Sequence, residues 1–349
     1  MVAERNAYLA QIVARLILHT RLFRELTQAD LMQFLSRTEQ FAFREGESIF
    51  REGDDSRSMY IVLRGCIEVS HEDAQHFAEP ISQFRAGECF VEMALVDTFP
   101  RSGTSVAKEP SILFAFTEEA ITPSERLTAT IYKNLARVIA DRCKAVESSM
   151  AQYLHEDCFE ADCFKYVVAS TMYPVAPMDG QLLSQIRKAG RVQEVSAGRN
   201  VVWEGTSGRA LYVDVEGELE VFRTDRSKRL KITQLAPGQC FGEIGFLSED
   251  YGRVASVEAL RNSKVLRIEA GDLKKSLILE AAVYLYLARK LSIRLRGLNR
   301  GYDQIVTSNC RSDCPLGLDD VQTSHHLVTM HANRMRPTPQ SHLAPTEHL

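Results

Sequence analysis

Glu45-Gly46-Glu47-Ser48-Ile49-Phe50-Arg51-Glu52-Gly53 returns as Ala197-Gly198-Arg199-Asn200-Val201-Val202-Trp203-Glu204-Gly205, 152 residues further along the chain. Met59-Tyr60-Ile61-Val62-Leu63-Arg64-Gly65-Cys66-Ile67-Glu68-Val69 returns at the same spacing as Leu211-Tyr212-Val213-Asp214-Val215-Glu216-Gly217-Glu218-Leu219-Glu220-Val221. The offset falls to 151 from Gly87/Gly238 to Glu92/Glu243 and is 152 again at Arg101/Arg253. One residue is lost in a hairpin and one is gained in a later loop, which is how the register of a duplicated domain drifts. Within each copy short apolar runs alternate with polar residues and break at glycines. Tyr212, Val213, Val215, Leu219, Val221 and Phe222 straddle Glu216-Gly217 in this way. Regularly spaced short strands with turn glycines predict a jelly roll or a related barrel.

Helical patterns flank each strand block, so the expected class is mainly β with flanking helices (α+β): two jelly-roll-like barrels, each followed by a long helix. Thr27-x-x-Asp30 reads as a capped helix start before Leu31, Phe34 and Leu35, and its counterpart spans about Met178 to Ala189. Behind the strands, Leu127, Ile131, Asn134, Leu135, Val138, Ile139, Arg142 and Val146 follow helical spacing. Leu277, Ala281, Tyr284, Leu285, Ala288, Leu291 and Leu295 do the same. The plain reading is a helix closing over its own barrel; a coiled dimer seam is the alternative. Pro174 and Pro177 mark the join. The expected division is an N-terminal helix over 1–20, a first domain over 21–150, a linker over 151–177, a second domain over 178–305 and a disordered tail over 306–349. That tail holds five of the nine histidines and four of the eleven prolines, with little apolar periodicity.

The 349 residues are 45% hydrophobic and 25% charged, an ordinary globular balance, and the net charge of −4 gives no general attraction to nucleic acid. The apolar run Ile12 to Leu18 is short and broken by Arg15, so no membrane span and no secretory signal is expected. The eight cysteines include Cys158-x4-Cys163 and Cys310-x3-Cys314, neither with a matching second pair. Reduced thiols in a cytoplasmic protein, and no metal, follow from that. His325, His326 and His331 are too scattered to make a selective site.

The chemistry lies in one loop of each copy, placed between the fifth and sixth strands. In the second copy it reads Gly238-Gln239-Cys240-Phe241-Gly242-Glu243-Ile244-Gly245-Phe246-Leu247, then Arg253-Val254-Ala255-Ser256. In the first it reads Gly87-Glu88-Cys89-Phe90-Val91-Glu92-Met93-Ala94-Leu95-Val96, then Pro100-Arg101-Ser102-Gly103-Thr104. A short helix starting at Glu243 turns free backbone N–H groups outward, and Gly242 and Gly245 allow close approach to the backbone. Arg253 returns across the loop to grip a phosphate through two parallel N–H donors. A carboxylate beside a phosphate makes sense once it accepts from a hydroxyl, so Glu243 reads as a sugar ligand.

These residues resemble the phosphate-binding cassette of cyclic nucleotide-binding domains, the superfamily of the bacterial catabolite activator protein and the regulatory subunit of cAMP-dependent protein kinase. The resemblance covers roughly residues 22–146 and 178–298. It implies that the glutamate binds the ribose 2′-hydroxyl, the arginine binds the cyclic phosphate, and backbone N–H groups complete the cradle. Carried over, the ligand-binding residues are Val91, Glu92, Ala94, Arg101 and Ser102 in the first copy and Gly242, Glu243, Ile244, Gly245, Arg253 and Val254 in the second. Val91 stands where that family prefers glycine, a branched side chain beside the ribose-binding carboxylate, so the second site is expected to be the tighter. Val254 removes one hydrogen bond available at that position.

The expected function is a cytosolic sensor of cAMP or cGMP with two ligand sites and no catalytic residues, acting through a protein partner or through self-association as a homodimer. About 44 residues follow Val306, with three arginines, no lysine and no two-helix pattern, so a DNA-reading helix-turn-helix is not expected. No Arg-Arg-x-Ser/Ala inhibitor sequence precedes Arg21. The alternatives are a transcription regulator with an unrecognised output, a scaffold with degenerate ligand sites and, most remotely, an enzyme.

Overall fold

The computed structural model describes residues 20–72, 78–153, 177–225, 228–248 and 252–309. The expected N-terminal helix and most of the linker and tail lie outside them.

Each copy opens with a short helix and builds eight strands. A 3-10 turn, Arg21–Phe23, leads into α1 (Gln28–Leu35). Thr27 caps α1 as the sequence predicts: the Asp30 N–H donates to Thr27 Oγ1 at 3.2 Å and the Thr27 N–H donates to Asp30 Oδ2 at 2.9 Å. The strands are β1 (Glu39–Phe43), β2 (Ser48–Phe50), β3 (Met59–Arg64), β4 (Cys66–Glu72), β5 (Ala78–Arg85), β6 (Cys89–Phe90), β7 (Thr104–Ala107) and β8 (Ser111–Phe116). They form two antiparallel four-stranded sheets, in the orders β1-β8-β3-β6 and β2-β7-β4-β5. A long helix, α2 (Glu125–Tyr153), follows.

The second copy repeats this. Asp179 caps α3 (Gly180–Ala189), accepting from the Leu182 N–H at 2.8 Å. Then come β9 (Arg191–Val195), β10 (Asn200–Val202), β11 (Ala210–Glu216), β12 (Leu219–Asp225), β13 (Lys228–Leu235), β14 (Cys240–Phe241), a single short helix α4 (Glu243–Leu247), β15 (Ser256–Ala259) and β16 (Ser263–Glu269). The sheets are β14-β11-β16-β9 and β10-β15-β12-β13, the same topology. Even the irregularities are duplicated: register shifts at Ser48/Phe50, Val62/Arg64 and Val69/Ser70 recur at Asn200/Val202, Asp214/Glu216 and Val221/Phe222. At the β3–β4 and β11–β12 turns Gly65 and Gly217 have φ of +97° and +132°. A β-carbon at either would meet the Oγ of Ser111 or Ser263 at 2.1 Å, so the turn excludes any larger residue. Two jelly-roll-like barrels with flanking helices result, which is the expected class.

The chain ends its described part with α5 (Ala270–Leu273) and α6 (Leu277–Asn309). α6 runs four residues past the point where the sequence reading begins its tail, and α2 ends at Tyr153. The two long helices do more than close over their own barrels. Leu127, Ile131, Leu135 and Ile139 of α2 and Leu287, Leu291, Leu295 and Leu298 of α6 belong to one buried apolar cluster. The Cys143 thiol of α2 sits 3.6 Å from the Leu291 carbonyl oxygen of α6. The helical seam therefore forms within the chain, between its two copies. Each barrel keeps a separate smaller core. The first stacks Phe50, Tyr60, Phe84 and Phe90; the second centres on Tyr212 over Phe241, with ring centroids 5.2 Å apart.

Candidate functional site

The two cassettes lie between the sixth and seventh strands of each copy, one strand later than the sequence count, because the two-residue β6 and β14 escape a periodicity reading. β3 pairs with β6 through Tyr60 and Phe90, and β11 pairs with β14 through Tyr212 and Phe241. This pairing delivers the chain to a left-handed residue, Gly242 (φ +77°) or Val91 (φ +64°). The following turn is α4 in the second copy and a tighter 3-10 turn, Glu92–Leu95, in the first.

Both glutamates point inward and are buried, Glu92 at 1% exposure and Glu243 at 6%. Each meets an arginine from the long helix of its own copy. Arg142 Nη1 of α2 donates to Glu92 Oε1, and Arg294 Nη1 of α6 donates to Glu243 Oε1 at 3.3 Å. In the second copy Lys290 adds a second cation, its Nζ 3.3 Å from Glu243 Oε2 and 2.5 Å from the Cys240 carbonyl oxygen. Burial alone would raise the Glu243 pKa, but the charges of Lys290 and Arg294 outweigh it and hold the carboxyl below its ordinary value. Arg294 also reaches across the seam to Glu147 of α2 at 2.6 Å. Among the described residues Glu92 Oε2 is buried with no hydrogen-bond partner.

The two arginines are buried as well, Arg101 at 3% exposure and Arg253 at 6%, and burial lowers the pKa of each. Arg253 Nη1 donates to the Gly242 carbonyl and Nη2 to the Ala210 carbonyl, both at 2.8 Å. Gly208, Gly242 and Gly245 surround its guanidinium; β-carbons there would stand 3.1, 2.4 and 3.2 Å from its terminal nitrogens. In the first copy the matching positions are Ser56, Val91 and Ala94. Arg101 keeps one of these bonds, Nη2 donating at 2.6 Å to the carbonyl of Ser58, the match of Ala210, but differs in the rest: Nε donates to Ser56 Oγ at 2.9 Å, with Cζ 4.4 Å from the Phe50 ring centroid. Its Nη1 is buried without a partner. The β-carbon of Val91 accounts for this difference, since it fills the space that Arg253 Nη1 uses at Gly242. The Val91 side chain packs against the barrel cluster that contains Phe50, Tyr60 and Phe90.

Of the remaining sequence-derived positions, Ala94 (5% exposed) and Ile244 (3%) are buried in their turns. Ser102 is exposed, and Val254 packs against the main core. Sequence reasoning missed Arg142, Arg294 and Lys290 as site residues. Arg142 and Arg294 share the 152-residue offset, so the repeat itself carried the signal; Lys290 stands opposite Val138 and had none. It also missed a clamp between the copies. Asp97, just past the first cassette, accepts from Arg296 Nε at 2.8 Å and Nη2 at 3.0 Å and from the Ser292 hydroxyl, while Arg289 Nε donates to the Val96 carbonyl at 2.9 Å. The described residues hold no cluster of three side chains suited to a metal, and no described helix is long and apolar enough to cross a membrane.

The profile of one family, "Cyclic nucleotide-binding domain", matches residues 40–123 and again 192–278. The chain is 25% identical over 266 residues to the cAMP-dependent protein kinase regulatory subunit of Yarrowia lipolytica, covering 76% of this chain and 61% of that one. It is 24% identical over 251 residues to that of Blastocladiella emersonii (71% and 54% covered). With the type II regulatory subunit of Drosophila melanogaster it shares 23% identity over 256 residues (73% and 58%). The chain thus spans less than two thirds of the length of these curated relatives. Among solved structures, the catabolite activator protein of Thermus thermophilus aligns with TM-score 0.36 and 24% identity over 48% of this chain and 72% of that one. The cAMP-bound regulatory subunit PfPKA-R aligns with TM-score 0.33 and 17% identity over 76% and 82%.

Proposed function

As a tandem cyclic nucleotide-binding domain protein, the chain is one we propose to be a two-site sensor of cAMP or cGMP. The observation that carries this reading is the repeated pair of a buried carboxylate and a buried guanidinium, one pair per cassette. Glu92 and Glu243 would accept from the ribose 2′-hydroxyl, and Arg101 and Arg253 would donate to the cyclic phosphate. In the first cassette an orphaned acceptor, Glu92 Oε2, and an orphaned donor, Arg101 Nη1, match those two ligand groups. A buried polar atom left unpaired is costly, and a ligand that satisfies both removes that penalty. The paired carboxylates and guanidiniums suit binding and orienting a ligand, and we read the protein as a regulator and not an enzyme.

The output then passes to a protein partner or through self-association, and regulatory subunits of kinases among the relatives favour a kinase catalytic subunit as that partner. A cytosolic location accords with the free cysteines at 66, 89, 143 and 240. A nucleotide that binds only the folded chain should add about 2.7 kcal/mol of stability at 100 times its Kd. The expected result is a raised melting temperature with cAMP or cGMP; no shift with either at millimolar concentration would remove the reading.

A further inference from the structure

The geometry points to Lys290 as a lock on the second site, so that the two sites fill in order, the first before the second; this rests on the cyclic nucleotide reading above. The two cassettes are the same in plan and opposite in state. The first presents a free carboxylate oxygen and a free guanidinium N–H, both buried. In the second, both oxygens of Glu243 are taken, one by Arg294 and one by Lys290. Each terminal nitrogen of Arg253 already gives one of its two N–H groups to a carbonyl oxygen, that of Gly242 or of Ala210. A ribose hydroxyl entering the second site competes with the Lys290 ammonium for Glu243 Oε2, whereas in the first it meets a carboxylate oxygen with no partner among the described residues.

Lys290 is the element that makes the difference at the sugar end. Arg142 and Arg294 are common to both copies, but Lys290 is matched by Val138 in the first. Its side chain is 17% exposed and its ammonium is anchored to the Cys240 carbonyl, so it is held at Glu243 by a second contact. It is a positioning residue, acting on the ligand through Glu243. Its helix also grips the first cassette: Arg289, Ser292 and Arg296 of α6 hold Val96 and Asp97. Filling the first site therefore bears on the same helix that carries the lock.

The test is isothermal titration of the full chain with cAMP and with cGMP. Arg253→Ala leaves the first site to be read alone, and Arg101→Ala leaves the second. The first site is expected to bind at least tenfold more tightly than the second. Replacing Lys290 by the valine of the first copy, Lys290→Val in the Arg101→Ala background, should tighten the second site about tenfold. Lys290→Arg, which keeps a cation, should not. Loss of packing alone weakens binding, so a gain in affinity is a result that a merely structural role would not give. Should Lys290→Val not fold, Lys290→Gln removes the charge with less change of shape and should tighten the site in the same direction. A second site as tight as the first, or unchanged by loss of the Lys290 charge while still binding, overturns the lock and leaves the sensor reading standing. Absence of heat from the wild-type chain with either nucleotide overturns both.

Discussion

Val91 and Asp214 are single residues at which one copy departs from the other, and each has a physical consequence. A valine at φ +64° sits in a region that costs an L-residue about 1–2 kcal/mol, and branching at Cβ worsens it. From the sequence, Val91 reads as an obstacle to the ribose. In the structure its side chain turns to the barrel core and its β-carbon stands where Arg253 Nη1 lies in the second copy, so Arg101 keeps the Nη2 bond but its Nη1 is left without a partner. Val91→Gly should let Arg101 donate to the carbonyl of residue 91. The expected outcome is weaker nucleotide binding at the first site by about 1 kcal/mol, read by titration in the Arg253→Ala background; tighter binding would restore the steric reading. Asp214 lies in the second barrel where the first has the fully buried Val62. Burial pushes its carboxyl up to about 6, against weaker lowering from the Glu216 backbone and Arg261. A raised folded-state pKa means that this side chain favours the folded chain below about pH 4 and that the benefit fades as the pH rises through 6. Asp214→Val should therefore stabilise the protein by up to roughly 3 kcal/mol at pH 7.5 and by much less at pH 4.5. Denaturant melts at both pH values check this, and an equal effect at both would contradict it.

The long helices α2 and α6 are where elements matter more than residues. Arg294 lies between two carboxylates, Glu243 of its own cassette and Glu147 of α2, and is 18% exposed. Its guanidinium is held above its ordinary pKa because those two charges outweigh burial. Arg294→Gln leaves Glu243 with Lys290 alone and takes from Glu147 its Arg294 partner, and should destabilise the chain by about 3 kcal/mol in denaturant unfolding. Arg229 offers the contrast: it pairs with Glu220 and Glu258 at the surface, so Arg229→Gln should change stability by less than about 1 kcal/mol. Legibility in the sequence follows the same division. Strands, capped helices and the Glu/Arg spacing of the cassettes could be read, because period-two alternation, Thr27 and Asp179 caps and turn glycines are local signals. The repeat marks Arg142 and Arg294 as a matched pair of positions, but not what they meet, and it gives no sign of Lys290, because each ion pair joins residues about 50 or more positions apart whose meeting depends on how a helix crosses a barrel.

At the scale of the whole molecule, the two copies are one structure. A single apolar cluster runs from Leu22 in the first copy to Leu298 in the second. Asp97 and Arg296 tie the first cassette to the last helix. The same helix holds the second cassette through Lys290 and Arg294, so each cassette touches an element shared with the other. The ligand at these sites is the central claim, and isothermal titration of the full chain with cAMP and cGMP, set beside the Arg101→Ala/Arg253→Ala double variant, tests it most directly. The expected result is saturable binding of at least one nucleotide to the wild-type chain, lost when both arginines are replaced in a protein that still unfolds cooperatively. Binding that survives the loss of both arginines, or no binding by the wild-type chain, would contradict the account.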